Sequence, residues 1–338
     1  MTTIDLATVQ QQATAFQTAK LVLTGAEIGL FTALADGPAT TDQLCERLEL
    51  HPRGTGLFLD ALVALGLLEN AGGKYSNGSV ANEFLSAGGE NFLGGFLSWA
   101  DQVMYPAWGQ LGELLRTGKP PLAAESGHEM FDGLWDDPVR VALLTKMTES
   151  ISRPLIPALV KAFDWESHRS VVDLGGCRGD TLALVAQEYP HLDAVVFDLP
   201  AVRPQFDAHM AELGPDGARL RFHGGDFFAD DIPEADLLML NHALVDWTED
   251  QRRELLARTF PAVRPGGALL ICDSVIVEGE PSYFRNLVRG INMQLMTPGG
   301  GGHRLSQLTA WLHDAGYGKV EHRPLSTDMS LVIANKPA

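Results

Sequence analysis

The chain has 338 residues, 45% of them hydrophobic and 20% charged, which is typical of a globular protein with two or three domains. Its formal net charge of -18 at pH 7 would repel a polyanion, so we expect a small molecule rather than nucleic acid as the partner. The apolar runs are shorter than the roughly 20 residues that span a bilayer, and the start shows no export or transit pattern, so we expect a cytoplasmic protein without a membrane partner.

Residues 1–100 are predicted to form a helical domain with a winged-helix pattern. The stretch "ATTDQLCERLEL" is typical of a helix, "HPRGTGLFLDALVALGLLE" of a turn and second helix, and "NAGGKYSNG" of a hairpin. A DNA-reading helix would present basic and amide side chains, whereas this second helix offers Arg53 and is otherwise largely apolar. The pattern therefore favours burial against a partner subunit over a ligand-sensing regulator that binds DNA.

Residues 101–165 are predicted to form a helical linker. Aromatic and methionine side chains recur in it at wide intervals, and Trp108 and Met147 are among them. Most of these side chains suit a helical core, but some can line an apolar pocket if a site lies nearby.

Residues 166–338 alternate between strand and helix patterns. Strands are predicted at "SVVDLGG", "DAVVFDLP", "LRFHGGDFF", "ADLLMLNHA" and "ALLICDSVIV". Helices separate most of them, and one begins at a Thr248 to Gln251 capping box. This order predicts a doubly wound α/β domain with a mostly parallel sheet.

A glycine-rich turn follows the first of these strands. In "VVDLGGCRGD" the strand ends in glycines and a helix follows, while Asp198 ends the next strand, as in sites where a carboxylate holds ribose hydroxyls. A dinucleotide fingerprint would need glycine in place of Cys177 and Asp180, so NAD fits poorly. The cysteines are far apart and show no metal-ligand spacing, so we expect neither a disulfide framework nor a metal site.

The spacing of Asp173, Gly175 and Gly179 resembles the first motif of class I S-adenosylmethionine (SAM) methyltransferases. Across nearly the whole chain, the ordered motifs resemble the O-methyltransferase family that includes plant caffeate and bacterial antibiotic-tailoring enzymes: "FDLPAV", "GGDFFADDIPEADLLML", "DWTED", "VRPGGALLICDSV", "NMQLMTPGG" and "WLHDAGY". The resemblance implies a Rossmann-like SAM domain after a winged-helix dimerisation domain, an intertwined homodimer, and S-adenosylhomocysteine as the cofactor product.

The resemblance also implies roles for residues along the cofactor. Gly175 and its neighbours would lie near the methionine moiety, Asp198 would bind the ribose hydroxyls, and Asp226 and Phe227 would hold the adenine. The remaining positions that match cofactor contacts are Asp173, Gly176, Gly179, Leu199 and Asn241. Cys177 stands where the family usually has a third glycine, and a small side chain can be accommodated there.

The family's catalytic base is missing. Plant-type enzymes read Leu-His-Asp-Trp where this chain has Leu244, Val245, Asp246 and Trp247. By the same resemblance, Gly302 stands at the position of the glutamate that orients the histidine, and Asp273 occupies the position of a remaining family acid. The loss of both partners argues against one incidental substitution.

Two histidines are candidate substitutes for the base. If residues 241–246 form a helical turn, His242 and Asp246 are an i, i+4 pair, and His242 can be an aspartate-oriented base. His303, in the glycine run "PGGGGHR", can swing over the pocket if that run is flexible. A structural or surface role is the alternative for each histidine.

The expected substrate pocket has apolar and basic members. Positions that match substrate-lining residues are Trp108, Met147, Val245, Met293 and Met296. Core packing accounts equally well for the methionines. Arg285, Arg289 and Arg304 flank the region and can together bind an acidic group, although solvated surface charge is the simpler account of each.

The sequence therefore predicts a SAM-dependent methyltransferase that acts on a hydrophobic, aromatic secondary-metabolite intermediate. O-methyl transfer by in-line displacement would rest mainly on positioning, because the histidine base is absent. A family member that keeps SAM but catalyses cyclisation, hydroxylation or decarboxylation is the alternative.

Overall fold

The computed structural model describes residues 4–89, 91–121, 126–134 and 137–338. The chain divides into two compact units, one made of Met1–Pro106 with Ala142–Ile151 and the other of Ala107–Val141 with Ser152–Ala338. The segment expected to be one linker, residues 101–165, is thus shared between the units. Part of it joins the first unit because the Phe96 N–H donates to Ser150 Oγ at 2.9 Å, and a Cβ on Gly95 would overlap the Lys146 carbonyl oxygen.

The first unit is helical with a small antiparallel sheet. Its first elements are α1 (Leu6–Ala13), α2 (Ala15–Glu27), α3 (Leu30–Ala35), β1 (Ala39–Thr40), α4 (Thr41–Arg47), α5 (Pro52–Ala64), β2 (Leu68–Ala71), β3 (Lys74–Asn77), α6 (Ser79–Phe84) and α7 (Gly94–Trp99). A Thr40–Gln43 capping box starts α4, and Pro52, which needs no N–H partner there, starts α5. The sheet has the order β1-β3-β2, which confirms the predicted helix, helix and hairpin.

Short helices occupy the middle of the chain. After a π-helical turn at Ala100–Met104 come α8 (Tyr105–Trp108), α9 (Leu111–Thr117), α10 (Gly127–Leu134), α11 (Pro138–Ser152) and α12 (Ile156–Ala162). Within the part of the chain that the structure describes, no helix is long and apolar enough to cross a membrane.

The second unit is built on a seven-stranded sheet. Its further elements are β4 (Ser170–Leu174), α13 (Asp180–Glu188), β5 (Asp193–Asp198), α14 (Arg203–Leu213), β6 (Leu220–Gly224), β7 (Ala235–Asn241), α15 (Glu249–Ala262), β8 (Val263–Asp273), β9 (Val275–Ile276), α16 (Tyr283–Met296), β10 (His303–Arg304), α17 (Leu305–Asp314), β11 (Val320–Pro324) and β12 (Ser330–Asn335). The strand order is β11-β12-β8-β7-β4-β5-β6. Strands β6, β5, β4, β7 and β8 are parallel, and β12 and β11 are antiparallel additions at one edge. The doubly wound, mostly parallel sheet is confirmed.

The central strands are buried on both faces, which is why they read as continuous apolar runs. Every residue of β4 is buried. Successive residues of β4 and β7 contribute to two different core clusters, one containing Val172, Leu174, Leu238 and Leu240, the other Val171, Leu237 and Met239. From β4 the chain continues to β5 on one side, while β7 pairs with β4 on the other. Ligands of doubly wound sheets bind at the carboxyl ends of strands where the order reverses in this way.

Candidate cofactor and active site

The loop after β4 is a tight turn that depends on glycine. Gly175 has φ +72° and its N–H donates to the Phe197 carbonyl at 2.8 Å, and Gly179 has φ +86° at the start of α13. A Cβ at Gly176 would lie 2.9 Å from the Asp173 carboxyl group. Side chains at these positions would be strained or would clash, so the loop presents bare backbone at the carboxyl end of β4.

Cys177 adopts the left-handed conformation that glycine would hold more easily, with φ +51°. Its N–H donates to Asp198 Oδ2 at 2.8 Å, which ties the loop to the end of β5. Burial, reinforced by Asp198 and Asp180, raises the pKa of the thiol well above its usual range. The cysteine is therefore a neutral side chain that the turn accommodates.

Two carboxyl groups face this turn, of which Asp173 is buried and Asp198 is half-buried. Burial raises the pKa of Asp198 to about 6, against the hydrogen bonds that its oxygens accept from the N–H groups of Cys177 and Leu199. Burial and then Asp198 raise the pKa of Asp173 to about 7, and Asp173 Oδ1 has no hydrogen-bond partner among the described residues. These carboxyl oxygens can accept more hydrogen bonds than the protein donates to them, and the hydroxyl and ammonium groups of SAM are suitable donors.

Aromatic side chains lie beside the turn at the place expected for adenine. A Cβ on Gly175 would lie 3.6 Å from Phe227 Cε1, and Asp226 Oδ1 accepts the Phe228 N–H at 2.8 Å. The rings of Phe227 and Trp247 are 5.7 Å apart in an edge-to-face arrangement. An apolar wall with one carboxylate suits an adenine ring and its amino group.

Helix α10 contributes His128 to this aromatic wall, a residue that the sequence patterns did not single out. The His128 ring lies 5.0 Å from that of Phe228 and 5.2 Å from that of Trp247, and its Nδ1 is 4.0 Å from Asp226 Oδ2. A Cβ on Gly127 would approach Trp247 to 2.8 Å. The stretch "GHEMF" carries no family motif. The only sequence feature that could have indicated the site was a glycine followed by two ring side chains in a helical pattern.

Asn241 ends β7 at the same edge of the sheet. Its Nδ2 donates to Thr181 Oγ1, in the first turn of α13, at 2.8 Å. The side chain therefore links the end of β7 to the start of α13, the helix that follows the glycine turn.

The position that the resemblance matches to the family base is apolar and enclosed. Leu244, Val245 and Asp246 form a 3₁₀ turn, and Val245 is 5% exposed. The Val245 carbonyl accepts the Gly301 N–H at 2.9 Å. Arg252, itself buried, donates to the carbonyls of Leu244, Val245 and Gly301 at 2.9, 3.2 and 2.6 Å. The turn and the glycine run are thus held together by a backbone hydrogen bond and by the Arg252 guanidinium, which bonds to carbonyl groups of both.

The glycine run is packed, contrary to the expected flexibility. A Cβ on Gly302 would lie 2.8 Å from Ile276 Cδ1 and 3.1 Å from Gly290 Cα, and one on Gly300 would overlap Thr297 Oγ1. His303 is 1% exposed in β10, paired with Val275. Neither ring nitrogen has a hydrogen-bond partner among the described residues, and burial lowers its pKa to about 3. His303 is therefore in the core and not over a pocket.

The expected helical pairing of His242 with Asp246 is also absent. His242 has φ +55°, so the backbone leaves β7 through a left-handed residue and the helical turn covers Leu244–Asp246 alone. The buried His242 Nε2 has no hydrogen-bond partner among the described residues. Burial, aided by Arg289 and opposed by Asp328, lowers the His242 pKa to about 4, which makes the imidazole a weak base at neutral pH.

Burial raises the pKa values of both acids at this edge, and Asp246 alone has a value above neutral pH. Burial and then Asp273 raise the pKa of Asp246 to about 8, against the nearby Arg252 guanidinium. Burial raises the pKa of Asp273 to about 6, and its Oδ2 has no partner among the described residues. Asp246 at neutral pH is therefore better suited to donate a hydrogen bond than to remove a proton.

The expected substrate-lining residues fall on four elements, one of which is the turn that carries Val245. Trp108 Nε1 donates to Asn292 Oδ1 at 3.0 Å, which joins α8 to α16. Met293 and Met296 lie on α16, and Met296 is buried. Met147 lies on α11 in the part assigned to the first unit. Arg289 and Arg285, also on α16, both approach Asp328, whereas Arg304 is exposed before α17.

The sheet, its glycine turn and the acid that ends the next strand define a class I SAM-dependent methyltransferase. Comparison with known proteins gives the family. Residues 108–318 match the O-methyltransferase domain and residues 10–87 match the O-methyltransferase dimerisation domain. The chain belongs to the O-methyltransferase family, and its cofactor is SAM.

Named relatives and solved structures agree with this assignment. The chain is 37% identical to the tetracenomycin polyketide synthesis 8-O-methyl transferase TcmO of Streptomyces glaucescens, over 97% of the chain and 96% of that protein. It is 35% identical to the N,N-dimethyltransferase OxyT of Streptomyces rimosus over 100% of both. It is 31% identical to the 3-hydroxy-5-methyl-1-naphthoate 3-O-methyltransferase of Streptomyces sahachiroi over 87% of the chain and 84% of that protein. Human N-acetylserotonin methyltransferase, solved in complex with SAM, superposes with a TM-score of 0.89 at 25% identity over 100% of both chains.

Proposed function

We propose that this enzyme transfers the methyl group of SAM to a hydroxyl group of a hydrophobic, aromatic secondary-metabolite intermediate, and that it does so by positioning. The observation that carries the proposal is Val245, a buried apolar side chain at the position of the family base. Two relatives support the substrate class, because their names specify a polyketide and a hydroxynaphthoate.

Different residues would bind the cofactor and position the acceptor. SAM supplies an activated methyl group when it is bound. Asp198 would accept hydrogen bonds from the ribose hydroxyls, and Phe227 would contact the adenine. Val245 and Met296 would exclude water from the acceptor, while the protonated Asp246 carboxyl would hold its proton and orient an acceptor oxygen by donating to it.

Positioning can compensate for a missing base. General-base catalysis is worth about 10²- to 10⁴-fold in rate, whereas alignment of the reactants supplies about 7–11 kcal/mol of the barrier in favourable cases. The acceptor must then bring its own acidity, because a hydroxyl that ionises readily needs no protein base. An acidified phenol fits this requirement better than an ordinary phenol of pKa about 10.

The test is a series of phenols of graded acidity, with one aromatic amine included because OxyT is an N,N-dimethyltransferase. Formation of S-adenosylhomocysteine is measured between pH 5 and 9. We expect the pH at half-maximal kcat/KM to follow the pKa of each phenol, and Asp246→Asn and His242→Gln to leave that relation unchanged. One half-maximal pH shared by every phenol and lost in either variant would show that a protein base operates. SAM binding without S-adenosylhomocysteine formation from any acceptor would favour non-methylating chemistry.

We infer that residues 10–87 form a homodimer, since they match the family's dimerisation domain. Exposed apolar side chains within this range support the inference, with Leu57 78% and Phe16 54% exposed. Light scattering should give twice the chain mass of 36.5 kDa. A monomer at micromolar concentration would refute the inference.

A further inference from the structure

Four side chains at the carboxyl edge of the sheet form a group that the transfer of a methyl group does not use. We call Arg285, Arg289, Asp328 and His242 the arginine cluster. Arg289 Nη2 lies 3.2 Å and Arg285 Nη2 lies 3.8 Å from Asp328 Oδ2. We propose that the arginine cluster binds a carboxylate on the methyl acceptor, an inference that rests on the proposed function in taking the acceptor to be a small aromatic molecule.

The cluster lies at the edge of the sheet where ligands bind. His242 follows the last residue of β7, and its N–H donates to the Cys272 carbonyl of β8 at 3.0 Å. Asp328 lies shortly before Ser330, which opens β12 and pairs with Asp273 at the end of β8. These contacts bring the cluster to the same strand ends that carry Val245.

Helix α16 connects the cluster to the expected acceptor pocket. Arg285, Arg289 and Met293 follow one another at four-residue intervals, so they lie along one face of the helix. A ligand that contacts Met293 with its ring can therefore reach Arg289 with a substituent one helical turn away.

The cluster carries more positive charge than Asp328 neutralises. Two guanidinium groups share one carboxylate, which leaves about one unit of positive charge in a chain whose net charge is -18. The side chain of Arg289 is 36% exposed and that of Asp328 17% exposed, so solvent screens these two charges only partly, whereas Arg285 is 61% exposed and is well screened.

Two donors of the cluster lack a strong acceptor. Arg289 Nη1 donates to the thioether sulfur of Met329 at 3.3 Å, and a thioether is a weak acceptor. The buried His242 Nε2 has no hydrogen-bond partner among the described residues, although a neutral imidazole can carry its proton on that atom. A carboxylate matches the planar fork of arginine and would give Arg289 a stronger acceptor than the thioether.

The test uses two naphthalenes that differ in one group. Binding of 3-hydroxy-1-naphthoate and of 2-naphthol to the full-length protein saturated with S-adenosylhomocysteine is followed by naphthalene fluorescence at pH 7.5. We expect the naphthoate to bind at least about tenfold more tightly, as one charge-assisted pair implies. Arg289→Met should remove that preference and change 2-naphthol affinity less than about twofold, and Asp328→Asn should tighten naphthoate binding severalfold by removing a competing carboxylate.

Arg221→Met is the matched control. Arg221 also pairs with a single aspartate, Asp193 at 2.5 Å, but at the amino ends of β6 and β5, so its loss should leave both affinities unchanged. Arg289→Lys gives a second variant if the methionine variant is unstable, and it should retain part of the preference because it keeps the charge but loses the fork.

Three results would overturn the inference: equal affinity for the two naphthalenes, equal weakening of both by Arg289→Met, or no naphthoate binding at millimolar concentration. Failure of the proposed function has a different signature. Selective naphthoate binding without S-adenosylhomocysteine formation from any hydroxyl acceptor would refute methyl transfer and leave the carboxylate site supported.

Discussion

Replacing Gly302 with glutamate, the residue that the resemblance implies at this position, should destabilise the protein and should not create a catalytic pair. A Cβ at this position would lie 2.8 Å from Ile276 Cδ1 and 3.1 Å from Gly290 Cα. The first neighbour is a side-chain end that can rotate away, but the second is helix backbone that cannot. Gly290 and Gly302 therefore let α16 and the glycine run approach more closely than any side chain permits.

The loss of stability can be estimated from the close approach of Gly302 to Gly290. Overpacking of one methyl group costs about 1–3 kcal/mol, and the backbone contact puts Gly302→Ala in the upper part of that range. A glutamate adds a carboxyl group beside the packed run, so Gly302→Glu should cost at least about 3 kcal/mol. The backbone at Gly302 is not left-handed, so the whole penalty is steric and electrostatic.

Urea unfolding in the presence of S-adenosylhomocysteine measures these costs. Gly133→Ala is the matched control, because Gly133 lies in α10 and, outside its own helical turn, no atom of the described residues lies within 4 Å of its Cβ position; it should stabilise the helix by about 0.5–1 kcal/mol. The double variant Val245→His with Gly302→Glu should fall below wild-type turnover. Wild-type stability of Gly302→Glu, or a gain in turnover of the double variant, would refute the view that the glycine pair excludes the acid.

Three further variants test the cofactor turn and the neighbouring acids. Asp198→Asn should raise the Kd for S-adenosylhomocysteine about tenfold to a hundredfold in calorimetry, because hydrogen bonds to a charged group contribute about 1.5–3 kcal/mol; a change below twofold would contradict its role at the ribose. Asp246 has a pKa of about 8 in the fold, against its usual 3.8, so its contribution to stability should fall as the pH rises from about 4 to about 8. Asp246→Asn should reduce the pH dependence of the free energy of unfolding in urea over this range, and it should leave kcat at pH 7 within about threefold. An unchanged pH dependence would contradict the raised pKa of Asp246. Cys177→Gly should stabilise the protein by about 0.5–1 kcal/mol by relieving φ +51°, with SAM affinity retained, and a loss of stability would show that the thiol packing matters more.

Local patterns were sufficient to predict most elements of the second unit. The continuous apolar run of β4 and the Thr248 cap of α15 are local features, and the structure has both. Strands β11 and β12 were not predicted. Three of the five residues of β11 are half-buried and two are exposed, so it shows neither an apolar run nor clean alternation.

The site was less predictable because its contacts join distant parts of the chain. His128 and Trp247 are in contact although more than a hundred residues separate them, and no local pattern encodes that proximity. Glycine was the most misleading signal: the run before His303 suggested mobility, yet the missing side chains allow close backbone packing. The left-handed turn at His242 likewise depends on its bond to Cys272, which lies on another strand.

The buried ionisable groups make the stability of the protein depend on protons in two opposing ways. His242 and His303 have pKa values of about 4 and 3 in the fold, so folding releases their protons as the pH drops below the usual 6.5. Four aspartates have the opposite effect and take up protons on folding above about pH 4: Asp173, Asp198, Asp246 and Asp273. The two sets partly cancel in mildly acidic solution, but above about pH 6.5 the aspartates act alone. Binding of the cationic cofactor should therefore raise the free energy of unfolding most in neutral and alkaline solution. There the ionised carboxylates destabilise the ligand-free fold and attract the sulfonium.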